Sequence, residues 1–154
     1  MIGSVVSGVL LAAVVAAAPA ETLPRKAAEA MGSQGLVGAW LVSASRAGGE
    51  GVVLVTFSSD GTFFRSGDTH PTLSVAHGAW KRTGDRQYDG TYVALRFDDN
   101  KKYVGTQRTR IRITQSGDDE FTGLAKVSVL DASGKEEKTS ETKLAGRRIQ
   151  VEPF

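Results

Sequence analysis

The chain predicts an all-β protein: an eight-stranded antiparallel up-and-down β-barrel, preceded by an N-terminal apolar segment of the signal-peptide kind. Three observations predict it. Turn signals recur about every ten to fifteen residues from Leu36 onward. The segments between them alternate polar and apolar residues with the two-residue period of a strand. No stretch after Met31 has helical periodicity and no βαβ alternation appears, so a parallel sheet is not expected.

Taken in order, residues 1–20 carry no charge, and residues 5–18 are apolar apart from Ser7 and Gly8. That run is short for a transmembrane helix, which needs about 20 apolar residues. Ala18-Pro19-Ala20 offers small residues where a signal peptidase reads, and Glu21 begins a polar stretch. The expectation is a signal peptide over 1–20, cleaved after Ala20, and a secreted or periplasmic product. No Lys or Arg precedes the apolar run, so either the true start lies upstream or the signal is atypical; an uncleaved membrane anchor or a buried helix is the alternative, and membrane contact is expected only through this segment if it stays uncleaved. Residues 21–34 read as a linker, with Pro24 near its start, one or two helical turns over 25–31, and Gly32-Ser33 near its end. Residues 35–154 form the barrel domain.

Within it the first strand is expected over 36–43 and the second over 51–58, separated by Arg46-Ala47-Gly48-Gly49. Asp60-Gly61 signals a two-residue hairpin, because glycine tolerates the positive φ of such turns. The third strand follows over 62–66 and the fourth, after a loop containing His70 and Pro71, over 74–83. Gly84-Asp85 turns the chain into a fifth strand over 87–97, and Asp98-Asp99-Asn100 into a sixth over 102–114. The seventh is expected over 120–130 and the eighth over 138–151. Closure of eight strands removes the exposed sheet edges. Such a barrel is just wide enough to be filled by side chains or to hold one small ligand.

The alternation sorts residues by face. Arg108, Arg110 and Arg112 share one side of the sixth segment, and Thr109, Ile111 and Ile113 the other. In the fifth, Thr91, Val93, Leu95 and Phe97 oppose Tyr88, Tyr92 and Arg96; in the seventh, Phe121, Val127 and Val129 oppose Glu120, Thr122 and Lys126. The arginine stripe reads as a solvated outer face. Turned inward it would bind an anion, since buried charge needs partners.

Composition excludes several functions. There is no cysteine, so disulfides, thiolate metal sites and cysteine nucleophiles are ruled out. A net charge of +2 gives no argument for nucleic acid. The histidines, His70 and His77, fall short of the three or four convergent ligands of a metal site. No metal and no cofactor is expected; haem on an axial His77 is the remote exception. No nucleophile elbow or phosphate-binding glycine loop is present, and Asp98-Asp99 and Asp118-Asp119 read as solvated turn residues.

Gly38-Ala39-Trp40 in the first strand, with Arg147 and Arg148 in the last, resembles the lipocalin and calycin superfamily over residues 36–151. That resemblance implies that Trp40 packs under the barrel base and that a terminal arginine crosses over its ring, a cation–π arrangement. It also implies binding of a small apolar molecule. The Thr-Asp-Tyr motif of classical lipocalins is absent, as are a disulfide and a C-terminal helix, so the likeness is to shorter bacterial lipocalin-like barrels.

The leading expectation is therefore an exported, non-catalytic barrel that binds a small hydrophobic ligand against Phe57, Phe64, Trp80 and Tyr92. A second reading is a cofactor-free cyclase or isomerase that folds an apolar or polyketide-like substrate inside the barrel, with His77, Tyr88, Tyr92 and Arg96 as polarising groups. A third is a ligand-free structural or interaction barrel. The oligomeric state has no signature in the sequence.

Overall fold

The structure, a computed structural model, describes residues 35–68 and 71–154. The expected signal segment, the linker and His70 lie outside the described residues. Eight strands follow one another: β1 Gly38–Arg46, β2 Gly49–Phe57, β3 Thr62–Gly67, β4 Ala76–Gly84, β5 Gln87–Phe97, β6 Tyr103–Gln115, β7 Glu120–Asp131 and β8 Glu136–Arg148. Each pairs antiparallel with the next, and β1 pairs with β8 to close the barrel. β5 has the expected bounds. β1 begins later than expected because Gly38 turns the chain with φ of 131°, and β8 starts and ends earlier. The Asp60-Gly61 hairpin is a four-residue turn, Ser58 to Gly61, closed by Ser58 N–H to Thr62 C=O at 2.9 Å.

The two ends of the barrel differ in what their inward side chains fill. At the base, Trp40 and Phe57 are at most 1% exposed, and Leu36 packs with them from the chain that leads into β1. The Trp40 indole N–H donates to the Leu36 carbonyl at 2.9 Å. Phe121 tilts against Trp40 with centroids 4.9 Å apart. Phe57, Phe63, Trp80 and Tyr88 extend the aromatic set, with Trp80 edge-on to both Phe57 and Tyr88 at 5.7 Å. Burying one such side chain contributes about 1.5–3 kcal/mol, and the offset and edge-on geometries suit the ring quadrupoles. The base is a packed core.

Towards the other end the inward positions become small. Ala44, Ala76 and Ala94 are buried there with Thr109 and Thr142, whereas Ala125 packs into the base cluster. The β3–β4 connection partly covers this end: Leu73 is buried and bridges to Arg96 of β5, while Ser74 N–H donates to Leu95 C=O and Phe97 N–H to Thr72 C=O. Leu73, Ala76 and Ala94, with Tyr92 against them, form a second apolar cluster beneath this connection.

Thr109, Ile111 and Ile113 point inward, and Arg108, Arg110 and Arg112 lie on the solvated wall. On β5 it is Tyr88, Tyr92, Ala94 and Arg96 that take the inner parity, so Val93 and Leu95 are left 41% and 45% exposed outside. The aliphatic face of β5 thus faces water and its aromatic face fills the barrel. Phe121 of β7 points inward as part of the core.

Candidate functional site

The base plug is built by residues far apart in sequence. β1 carries Trp40 beside Arg148 of β8 in register. The Arg148 guanidinium lies 4.3 Å from the Trp40 ring centroid. Its Nη1 and Nη2 donate to the carbonyls of Val37 at 2.6 Å and Gly35 at 2.7 Å, and its Nε donates to the Asp118 carbonyl at 3.0 Å. Asp119 completes the set with an ion pair at 3.2 Å. Arg147, the other arginine named with the plug, points outward and is exposed. Of the adjacent pair, Arg148 alone closes the base.

Most of the expected ligand wall is part of the packed base. Phe57 is buried against Phe63, and Trp80 donates its indole N–H to the carbonyls of Ser58 and Thr62, both at 3.1 Å. Phe64 has the opposite parity: it is 42% exposed on the outer wall, where it meets the His77 ring edge-on at 5.1 Å. Tyr92 is the member of that set that faces the interior above the base, edge-on to Phe63.

The four expected polarising groups do not converge. His77 is on the outside of β4. Tyr88 is buried in the base, with its hydroxyl 3.3 Å from Gln115 Oε1. Arg96 is at the opposite rim, tied to Glu137 at 3.2 Å and to the Leu130 carbonyl at 3.3 Å. Tyr92 lies between these last two along β5.

Arg65 and Thr109 are inward polar residues that belong to neither of the expected site sets. Arg65 of β3 is 7% exposed and Thr109 of β6 is fully buried. The Nε of Arg65 and the Oγ1 of Thr109 have no hydrogen-bond partner. Arg65 follows Phe63 on the inner face, between Val55 of β2 and Ala76 of β4. Its guanidinium lies against Gly67, where a β-carbon would stand 2.7 Å from Nη2. Thr109 sits between Tyr92 and Val127. A period-two count along β3, anchored on Phe63, would have put Arg65 inside; no motif marks it.

Concavities also occur on the outside. One of about 610 Å³ lies along β4 to β8, floored by Ala79, Gly90, Thr91 and Leu124 and edged by Arg110 and Lys126. In it Arg112 is paired with Asp89 at 3.0 Å, which raises the affinity of the guanidinium for its proton through the hydrogen bond and the charge of Asp89. A second of about 400 Å³ sits at the base rim beside Tyr88 and Gln115. Among the described residues no group of three or more His, Asp or Glu is placed to hold a metal ion, and no helix is long and apolar enough to cross a membrane.

No family model matches the chain and no curated protein matches it. Among solved structures the S-type phycobiliprotein lyase CPES from Guillardia theta aligns with 12% identity over 75% of this chain and 89% of that one, at a TM-score of 0.34. That likeness is too distant to transfer a function.

Proposed function

We propose that this is an exported, lipocalin-like barrel that holds one small, mainly apolar molecule in the half of its interior away from the Trp40 plug. One observation carries the reading: the interior is filled unevenly. Aromatic rings pack the base, whereas the other half is walled by Ala44, Ala76, Ala94, Thr109 and Thr142 under the β3–β4 connection. Such small side chains on several strands would leave room for a ligand beyond Leu73 and Tyr92, which pack against Ala76 and Ala94. Tyr92 would then form the floor of the site, and Phe57 and Trp80 would support it from below. Export rests on the apolar run of residues 5–18 and its small-residue end, and puts the ligand outside the cytoplasm.

The reading is non-catalytic. The groups that would polarise a substrate are divided between the outer wall, the base and the far rim, so no shared reacting centre exists among them.

Native mass spectrometry of the chain purified from its host tests the proposal. A co-purifying small molecule, or thermal stabilisation by members of a lipid and pigment panel, supports it. A clean apo mass with no stabilisation by any of them leaves a filled structural barrel.

A further inference from the structure

The outer wall of the barrel is divided in two. On β6 to β8 it is charged: Arg108, Arg110 and Arg112 stand beside Lys126, Glu141 and Lys143. On β1 to β5 it is apolar. Among the described residues, the outward positions of these five strands carry charge only towards their two ends, with Glu50 at the rim and Lys81 and Asp89 near the base. Between them stand Leu41, Val52, Leu54, Phe64, Val93 and Leu95, each 41% to 50% exposed.

β2 shows what is unusual in this. An antiparallel strand with one wet face alternates apolar and polar residues, whereas a strand covered on both faces reads as a nearly continuous apolar run. From Val52 to Phe57, β2 reads Val-Val-Leu-Val-Thr-Phe. Val53, Val55 and Phe57 fill the barrel, yet Val52 and Leu54 on the other face meet water. The sheet register joins the outward residues into one band. Leu41 lies opposite Leu54, Phe64 opposite His77, and His77 opposite Val93. Phe64 and His77 meet edge-on at its middle.

We propose that this face is the interface with a second copy of the chain. Size is the first argument. The six side chains leave on the order of 80 Å² each, roughly 500 Å² of apolar surface, as large as the largest patch of an ordinary monomer. The Ser and Thr residues between them bring the face near the roughly 800 Å² that each partner of a stable interface covers. Charge is the second argument. An uncharged face meets its own image without repulsion, whereas the β6–β8 wall would set arginine against arginine. A charged partner would find no counter-charge on β1 to β5. An anionic membrane surface would be held by Lys and Arg beside the apolar face, and here those residues are on the far wall. A twofold axis through Phe64 and His77 lays Leu41 and Leu54 of one copy over Val93 and Leu95 of the other, so each apolar end of the band covers the opposite end of its mate.

Sedimentation of the full chain purified from its host, across micromolar concentrations, tests this. A monomer–dimer equilibrium is expected. Leu54→Glu and Val93→Glu should each weaken it by at least about tenfold, because the symmetry places the new carboxylate in both halves of the interface. Leu124→Glu, equally exposed but on the charged wall, should leave it unchanged. Urea midpoints of the variants separate lost association from lost folding. The chain has no cysteine, so a single introduced thiol gives a second reading on a near-native protein: His77→Cys should cross-link to itself with a short bismaleimide, and Arg110→Cys should not. This reading decides if both glutamate variants fail to fold. A monomer at every concentration overturns the proposal. A dimer that Leu54→Glu and Val93→Glu leave intact overturns it too, and places association elsewhere in the chain. A monomer that floats with phosphatidylcholine vesicles, and stops floating on Leu54→Glu, replaces the second copy with a lipid surface. None of these outcomes depends on what the interior binds.

Discussion

Two neighbouring arginines in β8 show how much a single residue's parity decides. Arg148 replaces its lost water with the carbonyls of Gly35, Val37 and Asp118 and with the face of Trp40. Arg147, one residue earlier, is in solvent. Charged hydrogen bonds each contribute about 1.5–3 kcal/mol, and stranding buried carbonyls adds a penalty. Arg148→Ala should therefore cost about 2–4 kcal/mol in urea unfolding, while Arg147→Ala should stay within about 0.5 kcal/mol. Equal losses in the two would mean that the ring and carbonyls of the base do not depend on the guanidinium.

The strands tolerate little extra volume where they cross the core. Gly78 of β4 leaves a gap that the Phe63 ring enters; a β-carbon there would stand 2.6 Å from the ring and 2.6 Å from the Thr91 carbonyl oxygen of the paired strand. The carbonyl is fixed by the sheet, so the chain has to move as a whole. Gly78→Ala should destabilise by about 1–3 kcal/mol, read as a lower urea midpoint, whereas Gly48→Ala, with nothing within 4 Å of its β-carbon, should leave the midpoint unchanged. The strands themselves were legible in sequence because turn residues and two-residue alternation are local signals: all eight are found, with ends displaced by a few residues where Gly38 or the β3–β4 connection redirects the chain. Which parity faces inward was less legible on β5. Its aliphatic residues look like the core face, yet Tyr88 and Tyr92 are drawn inside by the rings already there. Phe64 and His77 were misplaced as interior candidates for the same reason. Composition marks them as notable, but only the register with Phe63 puts them outside. The orphan Arg65 left no mark, since charge in a strand normally reads as solvent-facing.

For the molecule as a whole, several turns are held by carboxylates, and acid should loosen them together. Asp60 accepts from the Thr62 hydroxyl at 2.7 Å and from the Thr62 N–H at 2.9 Å. Asp131 does the same for Ser133, and also accepts from the Lys135 N–H at 3.0 Å. These hydrogen bonds, the side-chain one first, hold both carboxyls below the usual carboxylate range. Glu136 is held low by the hydroxyls of Ser128 and Thr139, and then by the charges of Arg108 and Arg110. A carboxyl whose folded pKa is depressed contributes stability above its unfolded value, and that contribution is lost as pH falls through the folded one. Tm is therefore expected to be flat above about pH 5 and to fall towards pH 2. The double variant Asp60→Asn, Asp131→Asn should have a shallower acid limb, because an amide keeps an acceptor oxygen but does not titrate. An acid limb as steep as the wild type's would place the loss elsewhere.

Closure through the β1–β8 seam has a consequence for how the protein is made. The first strand finds its second neighbour only when the last one exists. During synthesis, β1 to β7 can pair in sequence as each hairpin emerges, but the growing sheet keeps two open edges, one of them Val42 and its neighbours on β1. Edges of that kind invite pairing with other chains. Trp40 likewise waits for Arg148, which lies at the very end of β8. Barrel closure therefore waits for β8 through Arg148, and a nascent chain stalled shortly before Arg148 should be bound by chaperones where one extended past it is released.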